Sequence, residues 1–164
     1  MTKQEILEQL KDILIKNNLT LSTAESCTGG LVSSYLTDIS GASNFIFQNF
    51  VTYSNSAKMR FLNVKKETLD TFGAVSEQTA YEMSLGLLSY ADCTTATTGI
   101  LGPTGGSKEK PVGLCYISVG YKGKIKVIKY LSKKADTNDR YEIKKDIAQQ
   151  ALLELLNFLK NEIN

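Results

Sequence analysis

Two hydrophobic periodicities alternate along the first hundred residues of this 164-residue chain, and no other feature limits its fold as strongly. Ile6, Leu7, Leu10, Ile13 and Leu14 recur at helical spacing, which predicts an amphipathic helix over 3–17 with Thr2 as its N-cap. Leu19 to Thr23 predicts a short strand, after which the pattern is helical from about Thr28 through Leu36, with Gly29 and Gly30 in the first turn. The β-branched and aromatic run Phe47 to Ser54 predicts a second strand. Three helices follow: one capped by Asn55 or Ser56 and reaching about Phe61, one from Lys65 to Phe72, and one from Ser76 and Glu77 to about Tyr90. Cys93 to Thr98 is β-rich again and runs into the glycine-rich loop from Gly99 to Pro111. Two strands, Val112 to Tyr121 and Lys124 to Leu131, meet at a Lys122–Gly123 hairpin turn, and a last helix spans Asn138 to Leu159. Alternation followed by a hairpin predicts a single α/β domain over 1–164, a mixed β-sheet with helices on both faces. In such sheets ligands collect where strands hand over to helices.

Composition removes several classes of function. Nineteen basic residues stand against seventeen acidic ones, mixed along the chain except for a mildly basic stretch from Lys122 to Lys134, so a nucleic-acid partner is not expected. No apolar run approaches the ~20 residues of a membrane span, and a membrane partner is not expected either. Cys27, Cys93 and Cys115 form no C-x-x-C pair and fit reduced thiols, which points to a cytoplasmic location. The chain contains no histidine, so it builds no Ser-His-Asp triad, Cys-His pair or histidine-ligated zinc site. Proton transfer near neutral pH falls to a lysine or tyrosine of shifted pKa, to a carboxylate, or to water.

Three segments carry candidate chemistry. The first, "AESCTGG" at 24–30, sets a carboxylate, a hydroxyl and a thiol before two glycines at a strand-to-helix turn, where backbone N–H groups and the helix dipole favour a nucleophile or an anion. The same residue types also serve as an ordinary N-cap, and Glu25 reads equally as an orienting group or as a cap. Cys27 is a rival nucleophile to Ser26, although a buried cysteine more often packs as a small apolar residue. The second, "VTYSNSAK" at 51–58, ends a strand in hydroxyls and an amide and places Lys58 within one helical turn. A neutral lysine amine can take the proton of a serine and return it to a leaving amine, whereas the plain alternative makes Lys58 a solvated surface charge. The third, "TTGILGPTGGSKEKP" at 97–111, has the successive N–H groups of an anion-holding loop without the Gly-Lys-Ser/Thr order of a phosphate-binding P-loop. Arg140, one of two arginines, opens the last helix and fits either a phosphate contact or an exposed ion pair.

Together with "GAVSEQTA" at 73–80 and "NDRYEI" at 138–143, these segments resemble the CinA C-terminal domain family, whose members include stand-alone nicotinamide-nucleotide amidohydrolases. The resemblance spans nearly the whole chain. It implies hydrolysis of the carboxamide of nicotinamide mononucleotide to nicotinic acid mononucleotide and ammonia, in pyridine-nucleotide salvage, with no metal and no cofactor. Ser26 would be the nucleophile, Lys58 its base, and Tyr53 a hydrogen-bonding or proton-relaying partner. Thr28, Gly29 and Gly30 would line the same pocket and offer N–H groups to the oxyanion. Thr98, Gly99, Gly102, Gly105, Gly106 and Ser107 would form the nucleotide-binding loop, and Arg140 would contact the phosphate. Leu101 and Thr104 depart from the family's usual small and glycine or acidic residues, which implies an altered loop shape. The family's additional N-terminal domain, and its pyrophosphatase activity, are not expected here. The alternative is a nucleotide-binding or partner-binding module of the same fold that has no catalytic role. The expected partner is the nucleotide substrate, and a homo-oligomer is compatible with the reading.

Overall fold

The computed structural model describes residues 1–163. Its elements run α1 (Lys3–Lys16), β1 (Leu21–Glu25), α2 (Leu31–Leu36), β2 (Phe50–Val51), α3 (Asn55–Leu62), α4 (Lys66–Phe72), α5 (Glu77–Leu87), β3 (Cys93–Gly99), β4 (Leu114–Tyr121), β5 (Lys124–Leu131) and α6 (Arg140–Ile163). The five strands form one mixed sheet in the order β2-β1-β3-β4-β5. β1 pairs in parallel with both β2 and β3, while β4 pairs antiparallel with β3 and with β5. The carboxyl ends of β1, β2 and β3 therefore lie side by side on one edge, together with the amino end of β4.

The two faces are covered differently. On one, α6 lies along β3 and β4, with α1 and α2 packed on α6, and Leu10, Leu21, Ile117, Val119, Ile147 and Leu155 belong to the larger core cluster. α1 begins with a full capping box, Thr2 accepting from the Glu5 N–H while the Glu5 carboxylate accepts from the Thr2 N–H. On the other face α5 lies across β1, β3, β4 and β5, with α3 and α4 packed on it. The row Ala24–Ala96–Ser118 runs across three strands on this side and is made of small residues. α5 can thus approach the sheet closely, and the Ser84 and Ser118 hydroxyls bond at 2.7 Å across the gap. α5 also lies close to α3: a β-carbon on Gly86 would stand 2.2 Å from the Leu62 carbonyl oxygen.

Three of the departures from the expected element boundaries bear on the site. β1 runs from Leu21 to Glu25, two residues later than predicted, because the Thr20 N–H and hydroxyl bond to Asp92 while Glu25 still pairs with Thr97. β2 shrinks from a predicted 47–54 to Phe50–Val51. Its neighbours reach β1 by other routes: the Ser22 hydroxyl donates to the Gln48 carbonyl and the Thr23 N–H to the Asn49 side chain. α2 begins at Leu31, and Gly29 and Gly30 precede it at φ +61° and +103°, left-handed conformations that residues with a β-carbon rarely adopt. The hairpin stands where predicted, with Lys122 and Gly123 both at positive φ as a two-residue primed turn requires.

Gly86 supplies a direct test. In an open helix, glycine to alanine gains up to about 1 kcal/mol. Here Gly86→Ala is expected to cost about 2–3 kcal/mol through overpacking against Leu62, read as a lower urea midpoint.

Candidate active site

Three chain segments converge at the shared carboxyl edge of the sheet. β1 ends at Glu25, so Ser26 is the first residue past the strand, and its N–H still bonds to the Thr97 carbonyl of β3. β2 ends at Val51, where the Thr52 N–H bonds to the Glu25 carbonyl, and the chain then turns sharply into α3. Ser54 caps that helix by accepting the Ala57 N–H at 3.0 Å. Capping at Ser54 places Lys58 on the inner face of α3, directly under the end of β2.

Lys58 is fully buried. Its Nζ donates to the Thr52 carbonyl at 3.0 Å and the Tyr53 carbonyl at 2.9 Å, and lies 3.1 Å from the Ser26 hydroxyl. The Ser26 hydroxyl also lies 3.3 Å from the Tyr53 carbonyl. No carboxylate pairs with this amine among the described residues. Burial accordingly pushes its pKa down from 10.5 to about 8, against a small opposing effect from Cys27. A lysine near pKa 8 holds a usable fraction of neutral amine at physiological pH.

Above this pair lies a cleft of about 230 Å³. Of the sequence-predicted residues, Ser26, Tyr53, Lys58, Thr98, Gly99, Gly102, Gly105 and Arg140 line it. Cys27, Ala74, Val75, Ile100, Leu101 and Thr104 line it as well. Ala74 and Val75 had a signal in "GAVSEQTA", and the structure brings them in through the Thr98 hydroxyl, which donates to the Ala74 carbonyl at 2.7 Å. Tyr53 meets the Ser–Lys pair through its backbone carbonyl, whereas its exposed side chain accepts from Arg140 at 3.3 Å. Arg140 also donates to the Gly102 carbonyl at 2.7 Å, so one side chain ties α6 to the glycine-rich loop and to the β2–α3 connection.

Five predicted residues fall outside the cleft lining. Gly106 and Ser107 belong to the far limb of the loop, where Ser107 forms a turn with Lys110 by accepting its N–H and donating its own to the Lys110 carbonyl. Gly106 has a packing role, since a β-carbon there would stand 2.9 Å from the Val112 nitrogen. Thr28 is buried, and its hydroxyl donates to Glu25 at 2.6 Å and lies 2.8 Å from the Thr97 hydroxyl. Gly29 and Gly30 form the turn behind it.

Glu25 resolves the ambiguity of the opening turn. Its buried carboxylate accepts the Val32 N–H at 2.7 Å and the Ser33 N–H at 3.0 Å, in addition to the Thr28 hydroxyl. The amino end of α2 is thus filled by the protein's own carboxylate, so the predicted anion site on that helix terminus is occupied from within. The N–H groups of Cys27 and Thr28 have no acceptor among the described residues. Cys27 is buried, its sulfur 3.9 Å from that of Cys115, and packs beneath the turn. No group of three or more His, Cys, Asp or Glu side chains converges as a metal cluster among the described residues, and no described helix is long and apolar enough to cross a membrane.

The chain and its fold have relatives among known proteins. The model of the CinA C-terminal domain matches residues 3–159. The chain is 48% identical over 145 residues to a CinA-like protein of Fusobacterium nucleatum, covering 88% of this chain and 35% of that protein. It is 50% identical over 129 residues to a CinA-like protein of Kosmotoga olearia, covering 77% of this chain and 31% of that protein. It thus spans about a third of the length of these curated relatives. Among solved structures it superposes on competence/damage inducible protein CihA from Agrobacterium tumefaciens with a TM-score of 0.89 at 41% identity, over 96% of this chain and 95% of that one. It superposes on the competence damage-inducible protein A of Klebsiella pneumoniae with a TM-score of 0.91 at 30% identity, over 99% of both chains.

Two measurements probe the local architecture. Glu25→Gln replaces one acceptor oxygen by an NH₂ group that faces a backbone or hydroxyl donor, and is expected to destabilise the fold by about 1–3 kcal/mol in urea titration. Between pH 8 and 10.5 the unfolded chain carries a proton on Lys58 that the folded chain lacks, so folding becomes more favourable as pH rises through that window. The stability of wild type relative to Lys58→Met should therefore climb from pH 8 to 10.5 and stay level below pH 7.

Proposed function

The chain belongs to the CinA C-terminal domain family, and we propose that it hydrolyses the carboxamide of nicotinamide mononucleotide to nicotinic acid mononucleotide and ammonia. The observation that carries this reading is the buried Lys58 amine 3.1 Å from the Ser26 hydroxyl, with two carbonyls fixing its other directions. A neutral amine has two N–H bonds and one lone pair. With the N–H bonds given to Thr52 and Tyr53, the lone pair is left for the Ser26 proton.

The chemistry follows from that polarity. Ser26 Oγ adds to the carboxamide carbon as its proton passes to Lys58. The N–H groups of Cys27 and Thr28, which the fold leaves without acceptors, are the donors nearest in sequence for the oxyanion. The Lys58 ammonium then protonates the leaving nitrogen, the C–N bond breaks, ammonia departs, and an ester to Ser26 remains. Water adds to that ester as its proton passes to Lys58, the C–O bond breaks, and Ser26 regains its proton as the acid leaves. One lysine thus serves as base and acid in each half-reaction, a role usually given to histidine, which this chain lacks.

Ammonia release from nicotinamide mononucleotide, free nicotinamide and glutamine tests the substrate class. Turnover of the nucleotide alone is expected, and tight nucleotide binding without ammonia release would instead support a non-catalytic module. Ser26→Ala should lower kcat by about 10³-fold or more, whereas Cys27→Ala should retain most of it. Loss in Cys27→Ala with full rate in Ser26→Ala would transfer the nucleophile to the thiol. The rate should rise with pH and level off above about 8, following deprotonation of Lys58.

A further inference from the structure

The start of α6 mixes acids and cations along its first two turns. Its acids are all engaged: Asp139 accepts the N–H groups of Tyr141 and Glu142, each at 3.1 Å. Glu142 pairs with Lys145 at 2.7 Å. Asp146 accepts from the Tyr130 hydroxyl, the Ser132 hydroxyl and the Lys133 N–H. Two cations are left over. Among the described residues neither Arg140 nor Lys144 has a carboxylate within 4.0 Å. The Arg140 guanidinium donates only to neutral oxygens, those of Gly102 and Tyr53.

Arg140 and Lys144 are four residues apart on one helix, so they share a face, and like charges at that spacing repel. Arg140 lines the cleft. Lys144 reaches back toward the same edge of the sheet, its Nζ lying 3.9 Å from where a β-carbon on Gly29 would stand. Gly29 is exposed and has no side chain to fill the space in front of that ammonium. The cleft itself is about 230 Å³, below the roughly 300–1,000 Å³ usual for small-ligand pockets, so a nucleotide whose amide reaches Ser26 must extend past the rim. A doubly charged phosphate at that rim would relieve the repulsion between the two cations and gain charge-assisted hydrogen bonds from both.

We propose that Lys144, acting with Arg140, holds the phosphomonoester of the substrate and sets the preference for the phosphorylated nucleotide over its dephosphorylated form. This inference rests on the nucleotide reading above, and Lys144 is a specificity-determining residue in it, with no part in the proton transfers.

The test compares nicotinamide mononucleotide with nicotinamide riboside, which lacks only the phosphate, in wild type, Lys144→Met and Lys144→Arg. Lys144→Met should lower the ratio of kcat/KM for the nucleotide over the riboside by about 10–100-fold, the size of one lost hydrogen bond to a charged group. The change should lie in KM, the dependence of KM on salt should flatten, and Lys144→Arg should restore the ratio. An unchanged ratio, or an equal fall for both substrates, overturns the proposal. Calorimetric titration of nicotinamide mononucleotide into Ser26→Ala and into Ser26→Ala/Lys144→Met reads the same contact without turnover. If wild type releases no ammonia from either compound, the amidase reading fails by itself. Binding at least tenfold weaker in the double variant would then still support the phosphate contact, and equal affinity, or no binding to either, would overturn it.

Discussion

The structure is organised around one buried primary amine. An uncompensated ammonium in a protein interior is strongly disfavoured, and Lys58 is buried without a carboxylate. It is accommodated because backbone oxygens surround it, and those oxygens come from a strand that stops early. Had β2 continued as an ordinary edge strand, the Thr52 and Tyr53 carbonyls would lie along the sheet; as it ends at Val51, both turn toward the amine. The rest of that face follows from the same requirement. Ser54 starts α3 at once, and α5 clamps α3 through the gap at Gly86 while resting on a sheet row of small residues.

The opposite face supplies the second half of the site. Ser26 occupies the first position past β1, where the next helix has already been capped by Glu25. With the terminus of α2 satisfied internally, α6 adds the Arg140 guanidinium to a cleft that already holds the Lys58 amine. Two helices on opposite faces of one sheet thus divide the work: α3 brings the amine, and α6 brings Arg140 across to Tyr53 and the glycine-rich loop.

Much of this arrangement was legible in the sequence because it depends on local pattern. Periodicity identified α1 and α6, β-branched runs identified β1, β3, β4 and β5, and Lys122–Gly123 marked the hairpin. The missing histidines and the Ser26 and Lys58 segments pointed to a pair that the structure does bring together. What escaped depends on contacts distant along the chain. β2 reads as a long strand, yet the Asn49 side chain replaces a backbone partner. Glu25 caps a helix seven residues downstream, beyond the span of a capping box. The engagement of Tyr53 through its carbonyl has no sequence signature at all, since every residue has a carbonyl. Lys144 stands four residues after Arg140 like any helical lysine, and only its approach to Gly29 distinguishes it.

The two acceptors that orient the Lys58 amine are peptide oxygens, and that sets how this site can vary. A point substitution removes a side chain and leaves the peptide oxygen in place. Alanine scanning across Thr52 and Tyr53 would therefore be silent about the contacts that aim the amine. What has to be inherited is the path of the chain: an edge strand that ends at Val51 and a helix that starts immediately after Ser54. Residue identity at the exposed position 53 is released to serve other ends, as the Tyr53 hydroxyl does in meeting Arg140, whereas an insertion of one residue between β2 and α3 would displace both acceptors at once.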